Sequence, residues 1–430
     1  MVPLEVHELS LAIAACGLLA LICMVLLDSR RMLRPSVAVA AMQLCFVAPG
    51  AVLAAETREG SPIDEGLRIA ACGAPLLLLL VAAATSGLDS QCTRLVTSCS
   101  GAVASPRERR AALAMSVVAL ALVGIVVLLL PWSQIGLVSL LTNPEESLEA
   151  RAASLWALQV PSLKTIIGVF NRLAAPLCLG VLACLPLRGL RRCLVVPAAL
   201  GPMLLLALNG ARLQVVIGAV TLALGFAIRR WSLRGAVGFA AVIAVAGLTI
   251  GAATAARIGS GRTIMEVEER VTYRAVVKPF LAGVMHVEYA EAVGGWGPES
   301  YGFPLKGVLG FEHAEPSEVV GDWFAPGTGT LVTPPAVMDL MASFGVAAGM
   351  FVFVAFALLL DSIAGLLVRA PPAIAVGCLT ALLVRSVDLV NTTIGGGTVA
   401  ALFVLAVAVW FRRAPCAGRR PGACAIRAPN

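Results

Sequence analysis

The sequence predicts an all-α, polytopic transmembrane helix bundle of about 11 spans, with the amino end outside and the carboxyl end inside. Three observations predict it. Of the 430 residues, 59% are hydrophobic and only 13% charged, against about 25% charged in a soluble domain. The apolar residues come in runs of about 20, which is helix length across hydrocarbon and too long for the 9–11-residue strands of a barrel. The charges between runs alternate in kind: most of the 32 Lys and Arg fall on one side and most of the 25 Asp and Glu on the other. That is the positive-inside bias, and it accounts for the net charge of +7 without a nucleic-acid partner. Residues 1–430 read as a single integral membrane domain.

The elements follow in order. Residues 9–27 form the first span. Its amino flank carries Glu5, His7 and Glu8, where a cleaved signal needs basic residues. Arg30, Arg31 and Arg34 place its end inside, and residues 36–55 return to an acidic outer loop with Glu56, Glu59, Asp64 and Glu65. Residues 69–85 descend to a basic loop containing Arg94, Arg107, Arg109 and Arg110, and residues 111–130 ascend. Residues 131–164 make the second-longest outer segment, with Trp132 and Trp156 as interface anchors. Residues 165–186 descend to Arg188, Arg191 and Arg192. Spans 194–208 and 213–228 are joined outside by Asn209-Gly210-Ala211-Arg212, and residues 235–256 follow Arg229, Arg230 and Arg234. After the long loop come spans 336–360, 373–390 and 397–411, ending in Arg412, Arg413, Arg419 and Arg420.

Residues 257–335 are the long polar interval, a large extracytoplasmic loop between the eighth and ninth spans. Within it Glu266, Arg270, Arg274 and Lys278 recur every fourth residue, with Val267, Val271, Phe280 and Leu281 supplying an apolar face. This predicts an amphipathic helix over residues 263–292 lying on the bundle or in the interface. All 12 cysteines lie in apolar runs or on the basic side, so no disulfide staples the loop, and no pair has zinc-ligand spacing.

The candidate chemistry is on the outer side. Arg212 sits at the mouth of a four-residue hairpin, where the topology rule disfavours arginine, and a guanidinium there offers a permanent, planar fork of donors to a diphosphate. Arg270, Arg274 and Lys278 form a cationic stripe, and Arg257 leaves the eighth span in Arg257-Ile258-Gly259-Ser260-Gly261-Arg262, a glycine-rich turn able to present backbone N–H groups to an anion. Each has a plainer reading: an arginine snorkelling to headgroups, or an ordinary charged helix surface. The base candidates are His286, His313 and Asp339, beside Glu288, Glu312, Glu315 and Asp322. Asp339 differs from the rest because it falls inside the expected ninth span, where an ionisable group is costly.

Three features of this layout resemble the oligosaccharide repeat-unit polymerases, the Wzy-type O-antigen and exopolysaccharide polymerases. They are the outer hairpin Asn209-Gly210-Ala211-Arg212, the arginine-bearing outer loop after the following span, and the segment from Gly327 to Phe351, with its Thr-rich entry, Asp339 and Phe344-Gly345. Ala211 stands where the family usually has Ser, and Asp339 where it usually has Glu. The resemblance implies a GT-C-like bundle in the bacterial inner membrane whose active face is extracytoplasmic. It implies a polyprenyl-diphosphate-linked oligosaccharide as substrate, joined to a second one without a metal or other cofactor. It also implies a chain-length regulator and a flippase as partners. Arg212 would contact the diphosphate, with Arg270 and Arg274 matching through loop position, and a carboxylate or His would deprotonate the acceptor; the residues themselves add Arg257 and Lys278 to the anion site and offer His313, Asp339 and His286 as the base. Other readings stay open: an O-antigen ligase using the same carrier, a secondary transporter or lipid-carrier flippase, or a membrane protein of assembly.

Overall fold

The computed structural model describes residues 8–54, 56, 61–135, 138, 161–185, 192–208, 212–230, 273, 277–294, 316–324, 334–385 and 397–413. Among these residues the fold is helical throughout, apart from one isolated bridge between Glu56 and Pro62.

The first half builds one packed group. Helix α1 (Glu8–Leu27) is apolar all round and leaves Leu18, Leu19, Leu26 and Leu27 exposed, as a helix facing lipid does. Helices α2 (Pro35–Phe46) and α3 (Ala48–Leu53) form one kinked traverse; Pro49 cannot donate into the helical ladder at the bend. Helix α4 (Glu65–Ala84) starts at Asp64, whose side chain accepts the Leu67 N–H at 2.9 Å. It packs on α1, α2 and α3. Helix α5 (Ser86–Cys99) occupies the stretch expected to be a basic loop. Its sequence is polar overall, yet Cys92, Leu95, Val96 and Cys99 recur at helical spacing and are buried.

Helix α6 (Pro106–Leu129) opens with a capping box: Glu108 Oε2 accepts the Ser105 N–H at 2.6 Å, and Ser105 Oγ accepts the Glu108 N–H at 3.3 Å. Helices α7 (Pro161–Val169) and α8 (Ala175–Leu182) are joined by a π-turn over Phe170–Ala174. Pro176 lacks the N–H that would bond the residue 172 carbonyl, and the ladder slips by one residue there. Helices α9 (Arg192–Ala207) and α10 (Arg212–Arg229) pack against each other, α9 also on α6 and α10 also on α8.

The last third ties the halves together. Helices α11 (Lys278–Ala292), α12 (Pro316–Phe324) and α13 (Ala336–Phe344) are short. Helices α14 (Val346–Leu366), α15 (Pro372–Arg385) and α16 (Gly397–Arg413) follow. α14 packs on α2, α4, α5 and α16, while α15 packs on α8 and α10. The α8–α15 crossing depends on two glycines. A Cβ on Gly180 would lie 2.7 Å from Gly377 Cα, and one on Gly377 would lie 2.7 Å from the Leu177 carbonyl. Small residues at such crossings let backbones approach where lipid gives no hydrophobic drive.

The expected ninth span, residues 336–360, is not one helix. Gly345 has φ +80° and ψ 159°, and the chain there separates α13 from α14. α13 folds back so closely that a Cβ on Gly349 would lie 2.6 Å from the Leu340 carbonyl. Its nine residues rise about 14 Å, under half of the ~30 Å hydrocarbon layer. Asp339 is therefore on a short helix outside the spanning segments.

Among the described residues, five helical stretches are long and apolar enough to cross a membrane: Glu8–Leu27, Pro35–Leu53, Glu65–Ala84, Pro106–Leu129 and Val346–Arg369.

Candidate functional site

Two clusters of polar groups stand out, one at each end of the α2–α4–α14 group.

At the end where α3 stops and α4 starts, α11 packs on α13, α3 and α12, and α13 also touches α4. The amphipathic helix expected over residues 263–292 is described from Lys278 to Ala292, and there it is a packed helix with Phe280, Val284, His286, Val287 and Ala290 all buried. α11 and α13 meet where the Met338 side chain covers Gly283. His286 lies one turn beyond Gly283, and Asp339 directly follows Met338, so the same crossing carries both base candidates. Ser343 Oγ donates to the Asp339 carbonyl at 2.6 Å. Among the described residues the Asp339 carboxyl has no ion-pair partner, and burial pushes its pKa up to about 7. His286 is 0% exposed and its Nδ1 lies 3.1 Å from the Ala282 carbonyl, one turn back on its own helix. Burial holds the ring's pKa down at about 4, which keeps it neutral at physiological pH; the Ala282 bond opposes that shift more weakly.

Beside this crossing Tyr289, Trp323 and Phe324 stack edge to face, with centroids 5.2 and 4.6 Å apart, and Trp323 keeps half its surface exposed. Below it Arg68 of α4 is fully buried and donates to the carbonyls of Ile63, Ala51 and Ala54. It thereby satisfies the end of α3, which has no further turn to supply donors.

Of the predicted diphosphate ligands, Lys278 is exposed at the first position of α11. Arg212 is the first residue of α10. Arg257, Arg270, Arg274 and His313 lie outside the described residues, as does most of the loop 257–335. Among the described residues, His286 and Asp339 lie on the two helices that meet at Gly283 and Met338. Among the described residues no three of His, Cys, Asp and Glu gather at metal-binding distance.

The second cluster is at the arginine-rich end. Arg34, 1% exposed, donates through Nε and Nη2 to Asp361 Oδ2 at 3.0 and 2.6 Å, and Asp361 is 0% exposed. Arg34 also donates to the Ala82 carbonyl, to Thr85 Oγ1 and, at 3.4 Å, to Asp89, which pairs with Arg31 at 2.9 Å. Asp361 accepts the Ser36 backbone N–H at 2.9 Å and the Ser36 hydroxyl at 2.6 Å. α2 has no cap of its own, so a carboxylate from α14 caps it in space. This network was not singled out from the sequence, where Arg31 and Arg34 served only as markers of the basic side. The available signal was an acid ending an apolar run of about 20 residues with no charge beside it.

These helices and their buried charges define a helical membrane protein. Comparison with family models, with curated proteins and with solved structures finds no match to this chain.

Proposed function

We propose that this chain is a metal-independent membrane glycosyltransferase that polymerises polyprenyl-diphosphate-linked oligosaccharide repeat units at the outer face of the bacterial inner membrane. In this reading the bundle has about 11 spans of GT-C-like kind, and its product serves surface polysaccharide synthesis. The observation that carries the reading is Asp339: a carboxyl on a non-spanning helix, lacking a countercharge among the described residues, with a pKa raised to about 7. A general base works best with a pKa near the operating pH. Asp339 would take the proton of the acceptor hydroxyl as its oxygen bonds to the anomeric carbon of the donor sugar. The bond from that carbon to the diphosphate breaks, and the lipid diphosphate leaves with both bonding electrons. Fixed cations can neutralise that departing charge, which is the role assigned to Arg212, Arg257, Arg270, Arg274 and Lys278. His286, buried and neutral, supports α11 beside the base.

The test is to incubate purified protein with polyprenyl-diphosphate-linked repeat units and resolve the products by size. Dimers and longer chains are expected from the wild type, and none from Asp339→Asn or Arg212→Ala. Unchanged chain lengths with Arg212→Ala in a correctly inserted protein would remove the arginine clamp.

A second reading, secondary transport, is favoured by one observation. The traverses α2–α3 and α7–α8 are interrupted, and broken helices are how transporters build sites. Movement of lipid-linked substrate across vesicles without any rise in product length would select it.

A further inference from the structure

We propose that the cleft between α6, α8, α15 and α16 binds an aminophospholipid. One acyl chain would lie in the cleft, and the ethanolamine headgroup would sit between Glu108 and the neighbouring arginines. The proposal is independent of any chemistry at Asp339.

The cleft measures about 200 Å³ and is open along one side. Its walls are Ala112 and Met115 of α6, Leu177 and Val181 of α8, Ile374 of α15 and Val407 of α16, and they are almost wholly apolar. α6 is long and apolar enough to cross a membrane, and the cleft lies along it, so its lining suits an acyl chain better than water. A hydrocarbon tail fits such walls without leaving any polar group unmet.

One polar side chain interrupts the lining, and it is Glu108. Its Oε2 accepts the Ser105 N–H at 2.6 Å, but its Oε1 is buried and has no hydrogen-bond partner among the described residues. The next residue shows the complementary deficit: Arg109 Nε is buried and has no acceptor among the described residues. A buried polar group left unpaired is destabilising, the more so if charged. The contrast with Arg34 and Asp361, where bonds saturate the pair, marks this mouth as incomplete. Arg107 and Arg110 are exposed on either side.

A ligand that completes the mouth needs an N–H donor for Glu108, an anion for the arginines and an apolar chain for the cleft. A phosphatidylethanolamine has all three in the right order: ammonium, phosphate, acyl chain. A phosphatidylcholine carries the same charges, but its trimethylammonium cannot donate a hydrogen bond. A phosphatidylglycerol keeps the phosphate and offers no cation to the carboxylate.

The test compares dioleoyl phosphatidylethanolamine, phosphatidylcholine and phosphatidylglycerol bound to the full-length protein in detergent, by native mass spectrometry and by the rise in melting temperature. Ethanolamine lipid is expected to bind roughly tenfold or more tightly than choline lipid, the factor a charge-assisted hydrogen bond supplies. Glu108→Gln should erase that difference, because glutamine keeps the capping box and loses the charge. Ile374→Trp should fill the cleft and weaken binding of the ethanolamine lipid in a protein whose Glu108 is intact. Equal binding of the ethanolamine and choline lipids to the wild type would overturn the proposal, as would tightest binding of the glycerol lipid. An ethanolamine preference that survives in Glu108→Gln, or ethanolamine-lipid binding as tight in Ile374→Trp as in the wild type, would overturn it too.

Discussion

Replacing Asp361 with leucine removes the acceptor of four hydrogen bonds and the countercharge of Arg34, which is 1% exposed. Breaking a buried pair by deleting one partner costs about 3–5 kcal/mol, because the other charge stays in low dielectric with nothing to neutralise it. Two details pull in opposite directions. Asp89 lies 3.4 Å from Arg34 Nη1 and takes up part of the orphaned charge, while loss of the α2 cap adds about 1 kcal/mol. A cost of about 3–4 kcal/mol is expected. Arg34→Met should cost a similar amount, since it leaves the Asp361 carboxylate stranded at 0% exposure. The double variant should fall within about 1 kcal/mol of wild type, because two apolar side chains leave neither charge behind. The assay is reversible unfolding in mixed micelles, with all four proteins compared as a double-mutant cycle. If the coupling lies within about 0.5 kcal/mol, the range of independent sites, the network is not a unit and the reasoning fails.

Three further outcomes are expected. Asp339 has a folded pKa of about 7 against an ordinary 3.8, so the native state keeps a proton that the unfolded chain has released; its contribution to stability is full below about pH 4 and falls as pH rises to 7. Asp339→Asn should flatten that slope and unfold at higher temperature than wild type at pH 8, while His286→Gln should remove the opposite trend, a loss of stability as pH falls from 6.5 to about 4. Gly180→Val should cost roughly 1–3 kcal/mol by overpacking the α8–α15 crossing, where its Cβ would lie 2.7 Å from Gly377 Cα; an unchanged melting temperature would show that the crossing can open freely. A periplasmic-activity reporter fused at Pro316, the first residue of α12, should be active, and activity only from a cytoplasmic reporter there would invert the topology.

Hydropathy located the long uninterrupted helices well, and physical chemistry explains where it stopped. Residues 9–27, 69–85 and 111–130 correspond to Glu8–Leu27, Glu65–Ala84 and Pro106–Leu129. The two later helices extend further at their amino ends because polar residues can be helical there: Asp64 caps one, and Ser105 with Glu108 boxes the other. The interruptions left no dip in hydropathy. Pro49, Pro176 and Gly345 break helices through a missing N–H or a positive φ while leaving the run as oily as before. α5 was missed for the opposite reason: its buried stripe is narrow and its average is polar. Asp339 was legible as an acid among apolar neighbours, although its place on a separate helix was not. Arg34 and Asp361 were not legible as a pair, since 327 positions separate them and each alone looks like the ordinary end of a span.

The two clusters share one helix, and that gives the buried ion pair a consequence beyond stability. From Val346 to Asp361 α14 rises about 22 Å. The Arg34–Asp361 clamp pins the far end of that rod to the start of α2, the end of α4 and, through Asp89, to α5. At its near end Gly345 hands the chain to α13, whose backbone rests against Gly349 and whose Met338 covers Gly283 of α11. A close-packed rod transmits a displacement rather than absorbing it. Sliding α14 along its axis would therefore carry Asp339 and the α11–α13 crossing with it. The clamp holds one end of α14 and the α11–α13 crossing the other, and burial at that crossing raises the Asp339 pKa to about 7. Loss of the clamp should then lower that pKa toward the ordinary carboxylate range even though Asp361 and Asp339 never touch.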